Sequence, residues 1–313
     1  MIGRNSEKDL PAGRRDAGRR DAIGIGVAAL AFYLLTLAPS VLWGDDAELQ
    51  RLAATSGRIN PGRGHLLWLA VARVVQLLPW GNPAWKANAV SALFGALTVG
   101  LILAATRRLT ENRLAAIVAA LSLAVSHLFW LHSVRAEVYT LHTAVVATII
   151  WLAVLWTRNP GSGRLAFLLG LVPGLGAINH VLVATLLPAI AWLLRPRRGR
   201  VTWRPVATAA GGLALGLIPW ILLQARAAIG DPFRRPFESF APLSVTGGEI
   251  VKGLLCILYQ FPLTLPFAVA GVAALALGRN PMAGFLALGI ADAAGFAASF
   301  HVADQIVFYL PAS

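Results

Sequence analysis

Charged residues are scarce in this chain. Asp, Glu, Lys and Arg make up 13% of its 313 residues, whereas hydrophobic residues make up 57%. A soluble domain has about 25% charged residues, so the composition excludes an ordinary soluble fold. The apolar runs also lack the alternation that the strands of a membrane barrel need. The sequence therefore predicts an all-α, polytopic membrane protein.

Cysteine and acidic residues are scarce as well. Cys256 is the single cysteine, which excludes an intrachain disulfide. The chain has 14 acidic residues and 27 Lys and Arg, which gives a net charge of +13. Most of the basic residues fall in the segments that alternating spans place on one side of the membrane, as expected for cytoplasmic segments. The charge therefore predicts a cytoplasmic N-terminus and no nucleic-acid partner.

Long apolar runs supply nine candidate membrane helices. Residues 1–22 are polar and basic and are predicted to be a disordered cytoplasmic tail, followed by one transmembrane domain over 23–313. The first run is longer than the apolar part of a signal peptide and has no A-x-A site after it, which favours an anchor. The runs lie near 23–42, 86–106, 114–132, 138–157, 165–178, 180–194, 205–224, 253–278 and 281–300.

This topology leaves two long segments outside, a first periplasmic loop over 43–85 and a second over 225–252. The first contains "HLLWLAVARVVQLLPW", which Arg73 interrupts and which is short for a span. Such a stretch is typical of an interfacial helix lying on the membrane surface.

The first loop opens with the densest acidic cluster of the chain, "WGDDAELQR". Asp45 and Glu48 have the spacing of a capping box, with Asp45 at the N-cap and Glu48 at N3. Residues three apart also share a helix face, so the two carboxylates could serve as a general base or hold a divalent cation, with Asp46 pointing elsewhere. Both interpretations stay open on local grounds.

Several motifs, in order, resemble those of one bacterial membrane family, domain-of-unknown-function family 2723. "GDDAEL" resembles its G-D-x-x-E-L, "WKANAVSALFGAL" its W-r-x-N-x-x-S-A-x-x-G-A-L, "FWLHSVRAEVYTLHT" its F-W-x-x-x-x-x-x-E-V-Y-x-L, and "GLGAINHVL" its G-L-x-x-x-N-H. Similar matches are "ARAAIGDPFRRPF" and "HVADQIVFYLP". That family is similar to an animal protein O-mannosyltransferase and belongs to the GT-C superfamily of membrane glycosyltransferases.

The resemblance covers about residues 30 to 311, with two departures. "RINPGRGHLLW" keeps Pro61 and Gly62 but replaces the H-P-P-G-Y-P-L expected around them, which puts substrate contacts there in doubt. Family members usually continue with further membrane helices, so the chain is expected to be short at its C-terminal end.

The resemblance implies a GT-C-like fold in the bacterial inner membrane and an active site on the periplasmic face. Such enzymes transfer a sugar, here mannose or a similar one, from a polyprenyl-phosphate carrier to a protein, lipid or glycan acceptor, usually with inversion. Asp45 takes the place of the acidic base in the first outside loop, with Glu48 as its partner. Some GT-C enzymes need a divalent cation, so Mg²⁺ or Mn²⁺ at Asp45 and Glu48 is an open expectation, and no other cofactor is expected.

Other polar residues in the matched motifs are candidates for binding the donor phosphate or the substrate. A cation must balance the charge that develops on the leaving phosphate, although headgroup contacts explain outer arginines equally well. Glu137 is also placed to form an ion pair with Arg135. Zinc is not expected, since His127, His132 and His142 do not share one helix face. The candidates are Arg226, Arg135, Glu137, Tyr139, Asn179, His180, Asp231 and Asp304, with the Arg234 and Arg235 pair as further phosphate contacts.

Two other functions fit the composition. A transporter or flippase for a lipid-linked sugar would place charged residues near the bilayer midplane, whereas here they collect at helix ends, with Asp292 as the main exception. A non-catalytic membrane subunit is the second alternative, and the altered loop around Arg63 and His65 is compatible with it.

Overall fold

The computed structural model describes residues 12–55, 65–196, 202–230 and 247–299. Within these ranges the chain forms α-helices and one 3-10 helix, and no strand, as the composition predicts. The helices are α1 (Ala12–Leu35), α2 (Asp45–Ala54), α3 (Leu66–Gln76), α4 (Pro83–Thr110), α5 (Arg113–Ala124), α6 (His127–Ser133), α7 (Tyr139–Arg158), α8 (Gly163–Gly176), the 3-10 helix (Val181–Leu186), α9 (Leu187–Leu194), α10 (Arg204–Gly230), α11 (Gly247–Gln260), α12 (Leu265–Leu277) and α13 (Pro281–Ser299).

Fewer helices than expected are long and apolar enough to cross a membrane on their own. In the described part of the chain three qualify, namely α4, α7 and the portion Arg204–Arg226 of α10. Two bent pairs raise the number to five if each counts as one span: α5 with α6, bent by 65°, and Val251–Gln260 with α12, bent by 104°. The chain is thus a multi-pass membrane protein, and the count of nine spans stays a prediction.

Two of the predicted spans, 114–132 and 253–278, are bent. The first breaks at Val125 and Ser126, and the second breaks after Gln260, where Pro262 follows. Proline lacks the N–H that would continue the helix, and Pro266 then starts α12 at a position where proline is tolerated.

The basic segment ahead of the first apolar run is helical from Ala12 onward, so residues 12–22 differ from the predicted disordered tail. Alanine and arginine favour helix, and the segment also forms an ion pair with the start of α5. Arg113 Nε and Nη2 each donate to one carboxylate oxygen of Asp21 at 2.8 Å. The predicted tail is therefore partly a continuation of α1.

Glycines allow α8 and α10 to approach each other closely, as expected for membrane helices. A Cβ at Gly212 would collide with the backbone carbonyl of Phe167, and one at Gly170 would collide with that of Ala209.

After α8 the chain turns at Asn179 into the 3-10 helix. A turn was predicted at this place.

Helices α2 and α3 occupy the predicted first outside loop and pack on the first turns of α4. Leu49, Trp68, Leu69 and Val90 form a buried cluster there. Gln50 of α2 donates to Asn88 Oδ1 of α4 at 2.8 Å, which fixes α2 on the end of the helix bundle. Their location at a membrane interface stays a prediction.

Candidate active site

The acidic cluster forms the first turn of α2. Gly44 is the N-cap, with φ of 74° and ψ of −143°, and no side chain caps the helix. The capping-box prediction is therefore wrong, because Asp45 lies inside the helix rather than at its cap. A positive φ of this kind is accessible to glycine at little cost, and it turns the chain sharply so that Asp45 stands exposed at the helix start.

Asp46 points into the protein. Only 6% of it is exposed, and its Oδ2 lies 3.5 Å from Arg135 Nη1. Arg135 Nη2 lies 3.3 Å from Glu137 Oε1 and 3.4 Å from His132 Nδ1. We call these four residues, Asp46, His132, Arg135 and Glu137, the inner cluster. Asp46 thus points away from Asp45 and Glu48, as expected, and into the bundle. The ion pair of Arg135 with Glu137 is confirmed.

Hydrogen bonds with Ser91 of α4 hold the segment between α6 and α7 that supplies Arg135 and Glu137. The Ser91 hydroxyl of α4 donates to the carbonyl of Glu137 at 3.0 Å and lies 2.9 Å from the amide nitrogen of the same residue. A buried backbone needs such partners. The inner cluster is therefore built between α2, the first turns of α4 and the start of α7.

Aromatic and imidazole rings continue from the inner cluster into the bundle. The ring of Tyr139 lies 5.4 Å from that of His132 and 5.8 Å from that of His180. His180 in turn lies 5.5 Å from His65 and 5.6 Å from His142. In the described ranges no three His, Cys, Asp or Glu side chains are arranged to hold a metal ion. The rings form a polar wall that leads from the inner cluster into the bundle.

Asn179 joins this wall to the first loop. Its side-chain nitrogen donates to the carbonyl of Val138 at 3.1 Å, and its own carbonyl accepts from His65 Nδ1 at 2.7 Å. The Asn179 Oδ1 and His142 Nε2 atoms are buried and have no hydrogen-bond partner within the described chain. Buried polar atoms normally find a partner, so these two atoms are suited to bind hydroxyl groups of a ligand.

The electrostatics differ between the two neighbouring aspartates. Burial raises the pKa of Asp46 to about 7, the Glu137 carboxylate adds to the increase, and Arg135 opposes it. The charge of Asp45 contributes to this pKa and also to that of His65, whose pKa burial lowers. Asp45 is therefore an exposed carboxylate at the rim of the inner cluster.

The raised pKa of Asp46 predicts a pH dependence of stability. The folded protein keeps the proton on Asp46 up to about pH 7, whereas an unfolded chain releases it near the ordinary value of 3.8. The folded state then binds more protons between these values, so the contribution of Asp46 to stability falls as the pH rises through this window and is constant above it. We expect the melting temperature of wild type minus that of Asp46→Asn to decrease from pH 4.5 to 7 and then level off. A difference that does not change with pH would contradict the assignment.

Of the remaining predicted site residues the structure describes Glu48 and Arg226, and neither belongs to the inner cluster. Glu48 shares the outer face of α2 with Asp45, but both of its oxygens are bound by Arg51, at 2.7 and 2.8 Å. Arg226 lies at the exposed end of α10. Asp231, Asp304, Arg234 and Arg235 lie outside the described residues.

Four residues near the site were not among the sequence candidates: Asp46, His65, His132 and His142. Asp46 and Gln50 are four residues apart and both buried, so the apolar stripe of α2 that continues through Leu49 and Ala53 was a signal for the inner face. The histidines carry no such signal, since only the tertiary fold brings them together.

Comparisons with known proteins find similar sequences and a similar fold. A family model described as the N-terminal domain of protein O-mannosyl-transferase TMEM260 matches residues 58–202. Protein O-mannosyl-transferase TMEM260 from Mus musculus is 27% identical over 215 residues, which cover 67% of this chain and 31% of the mouse protein. The protein of that name from Dictyostelium discoideum is 25% identical and is covered to 26%. 

The solved structure of ArnT from Cupriavidus metallidurans, bound to undecaprenyl phosphate, superimposes with a TM-score of 0.68 over 94% of this chain and 58% of ArnT. At 15% identity this likeness concerns the fold. The chain is similar in sequence to protein O-mannosyl-transferase TMEM260 and in fold to ArnT. It spans less than a third of the length of the curated relatives it matches, 31% of the mouse protein and 26% of the Dictyostelium protein. The prediction of an all-helical membrane protein is confirmed.

Proposed function

We propose that this GT-C-like chain is a membrane glycosyltransferase that moves a mannose-like sugar from a polyprenyl-phosphate carrier to a hydroxyl of a protein acceptor. The observation that carries the proposal is the exposed Asp45 beside the buried inner cluster, at the start of the first loop of a fold shared with ArnT. The names of the two O-mannosyl-transferase relatives support the reaction class, and the undecaprenyl phosphate in the ArnT structure supports the carrier. Lipid and glycan acceptors are the alternatives.

In the proposed reaction, the acceptor hydroxyl attacks the anomeric carbon while the bond from that carbon to the phosphate oxygen breaks. The hydroxyl proton passes to the Asp45 carboxylate, and the electron pair of the broken bond leaves with the polyprenyl phosphate. Asp45 suits this role because it is exposed at the rim of the site. Attack from the side opposite the phosphate inverts the anomeric centre.

The inner cluster is proposed to position Asp45 rather than to react. Arg135 is paired with Asp46 and Glu137, so most of its charge is already balanced inside the protein. Arg226, exposed at the end of α10, is the better candidate to bind the leaving phosphate. Tyr139 and His180, together with the free polar atoms of Asn179 and His142, are proposed to bind the sugar.

A cation at Asp45 and Glu48 remains a separate proposal. Glu48 is held by Arg51 through both oxygens, so a Mg²⁺ or Mn²⁺ ion would have to displace that arginine first. A hard cation prefers several oxygen ligands, and this pair would supply one free carboxylate. No step of the proposed reaction passes through a metal.

The proposal is tested by incubating the purified full chain in lipid nanodiscs with radiolabelled polyprenyl-phosphate mannose and a Ser/Thr-containing peptide. We expect labelled peptide and free polyprenyl phosphate in equal amounts, and no product from a nucleotide-linked mannose. Binding of the carrier without turnover would instead support the lipid-linked sugar transporter or the non-catalytic subunit. Transport of the intact carrier between the leaflets of a liposome separates these two.

The proposed location is the bacterial inner membrane with the N-terminus in the cytoplasm and the site on the periplasmic face. The distribution of basic residues supports this orientation. Ion pairs at the opposite end of the bundle, such as Arg113 with Asp21, would then face the cytoplasm.

A further inference from the structure

A groove of about 920 Å³ lies between α1, α4 and α7 and runs along α4 from Leu93 to Glu111. Ser91 of α4 contacts Glu137 at the site, whereas Arg107 of the same helix lies at the charged end of the groove. Sixteen residues of helix separate Ser91 from Arg107, which is about 24 Å at 1.5 Å per residue. The apolar end starts closer to the site but on the opposite, exposed face of α4, since Leu93 is 47% exposed and Ser91 is buried. The charged end of the groove is therefore distinct from the candidate active site.

The walls of the groove are apolar and open sideways. Four of its lining side chains are large, apolar and exposed: Ile23 at 55%, Val27 at 61%, Leu93 at 47% and Leu97 at 49%. The bottom of the groove is formed where α1 and α4 approach each other closely. A Cβ at Gly100 would come within 3.2 Å of the Ala22 carbonyl there. In a membrane such walls face lipid chains.

The mouth of the groove is basic. Arg19, Arg107, Arg108 and Arg158 line it together with two carboxylates, Asp16 and Glu111. One of these, Glu111, is already bound by Arg158 at 3.0 Å. The mouth therefore carries a net positive charge.

Arg107 is positioned rather than loose. Its side-chain stem packs against α1, where a Cβ at Gly18 would lie 3.7 Å from Arg107 Cγ. Its Nη1 donates to the carbonyl of Glu111 at 2.8 Å, and its charge also acts on the Asp21 carboxylate. A guanidinium has five N–H donors, so this hydrogen bond leaves donors for a further acceptor. This arrangement is suited to bind a phosphate oxygen at the top of the groove.

We propose that this groove binds one anionic phospholipid, with its phosphate at Arg19 and Arg107 and one acyl chain along Ile23, Val27 and Leu97. The polarity changes along the groove as it does along a lipid, from a charged head to an apolar chain. Basic pockets between membrane helices bind anionic headgroups on the cytoplasmic side, and the volume lies in the range of ligand pockets, about 300–1,000 Å³. The excess of arginine favours an anionic over a zwitterionic headgroup. The proposal does not rest on the proposed glycosyl transfer.

Native mass spectrometry of the full chain tests this site. The protein is supplied with phosphatidylglycerol or with phosphatidylcholine of the same acyl chains. We expect one phosphatidylglycerol to be retained in clear preference to phosphatidylcholine. The double variant Arg19→Gln/Arg107→Gln is expected to lower that retention about ten-fold, which corresponds to about 1.4 kcal/mol of binding free energy.

The matched control is Arg20→Gln/Arg51→Gln, which removes the same charge from arginines that do not line the groove. It is expected to keep the preference. Leu97→Trp, which fills the apolar wall, is expected to reduce retention without changing charge. Equal loss in the control would overturn the proposal in favour of diffuse attraction, as would complete displacement of the lipid by inorganic phosphate. Melting temperatures show which variants are folded, and retention of the lipid by a folded Leu97→Trp protein would also refute the site.

Discussion

Asp45→Asn is expected to reduce sugar transfer about 100- to 10,000-fold, the usual contribution of a general base. Asparagine has nearly the same shape but does not accept the proton of the acceptor hydroxyl. The carboxylate is exposed at the start of α2 and caps nothing, so its replacement removes no cap hydrogen bond. Glu48 still places a negative charge in the first helical turn. We therefore expect an unchanged melting temperature, together with unchanged binding of the polyprenyl-phosphate donor.

Two comparison variants make this result specific. Asp46→Asn changes the adjacent carboxylate. If it reduces sugar transfer more than Asp45→Asn does, Asp46 and not Asp45 is the base. Glu48→Gln changes the outer face of the same helix. If Asp45 acts alone, Glu48→Gln keeps most of the activity; if the two hold a cation, both variants lose it and added Mg²⁺ or Mn²⁺ partly restores Glu48→Gln. Full activity of Asp45→Asn contradicts the base assignment.

The helical class of the fold is readable from composition and run length, because a bilayer leaves few other solutions for a chain this apolar. The bends are harder to predict. Both bent pairs are apolar enough on average to pass as one span, so hydropathy alone shows one long run. Proline at 262 marks one break, but a proline in the sequence does not specify the angle of 104°.

The candidate site shows a similar division. The sequence brings Asp45 and Glu48 to one face of a helix because spacing alone fixes that. Which face is buried depends on partners that are distant in sequence: Asn88 of α4, 38 residues from Gln50, and Arg135, 89 residues from Asp46. Asp46 was therefore missed as an inner residue, although Gln50 one turn later shares its side and is also buried.

The capping-box spacing predicted the wrong N-cap residue for α2, and there is a physical reason. Asp45 and Glu48 match a capping box in spacing, but Gly44 adopts a positive φ and takes the N-cap position. The sequence is compatible with either residue at the N-cap, and in the observed arrangement Gln50 also donates to Asn88 of α4. Spacing alone does not distinguish the two.

Arg135→Gln is expected to have the largest effect on stability. It leaves the Asp46 and Glu137 carboxylates buried beside each other without their cation. Removing one partner of a buried pair costs about 3–5 kcal/mol, and we expect about 3 kcal/mol because 28% of the Arg135 side chain is exposed. The melting temperature in detergent should fall accordingly. The loss should be smaller at pH 5 than at pH 8, since protonation of Asp46, whose pKa is already raised to about 7, neutralises one carboxylate.

A double variant separates this mechanism from general damage to the fold. Arg135→Gln/Asp46→Asn contains one buried carboxylate fewer, so it should be more stable than Arg135→Gln alone. A coupling between the two substitutions is the signature of a direct interaction, and additive effects would contradict it. Arg51→Gln is the matched control, because Arg51 pairs with Glu48 at the surface with 59% of its side chain exposed. Exposed ion pairs contribute little to stability, so the Arg51→Gln control should melt at the wild-type temperature. The loss of stability in Arg135→Gln would then be due to the buried position of its partners.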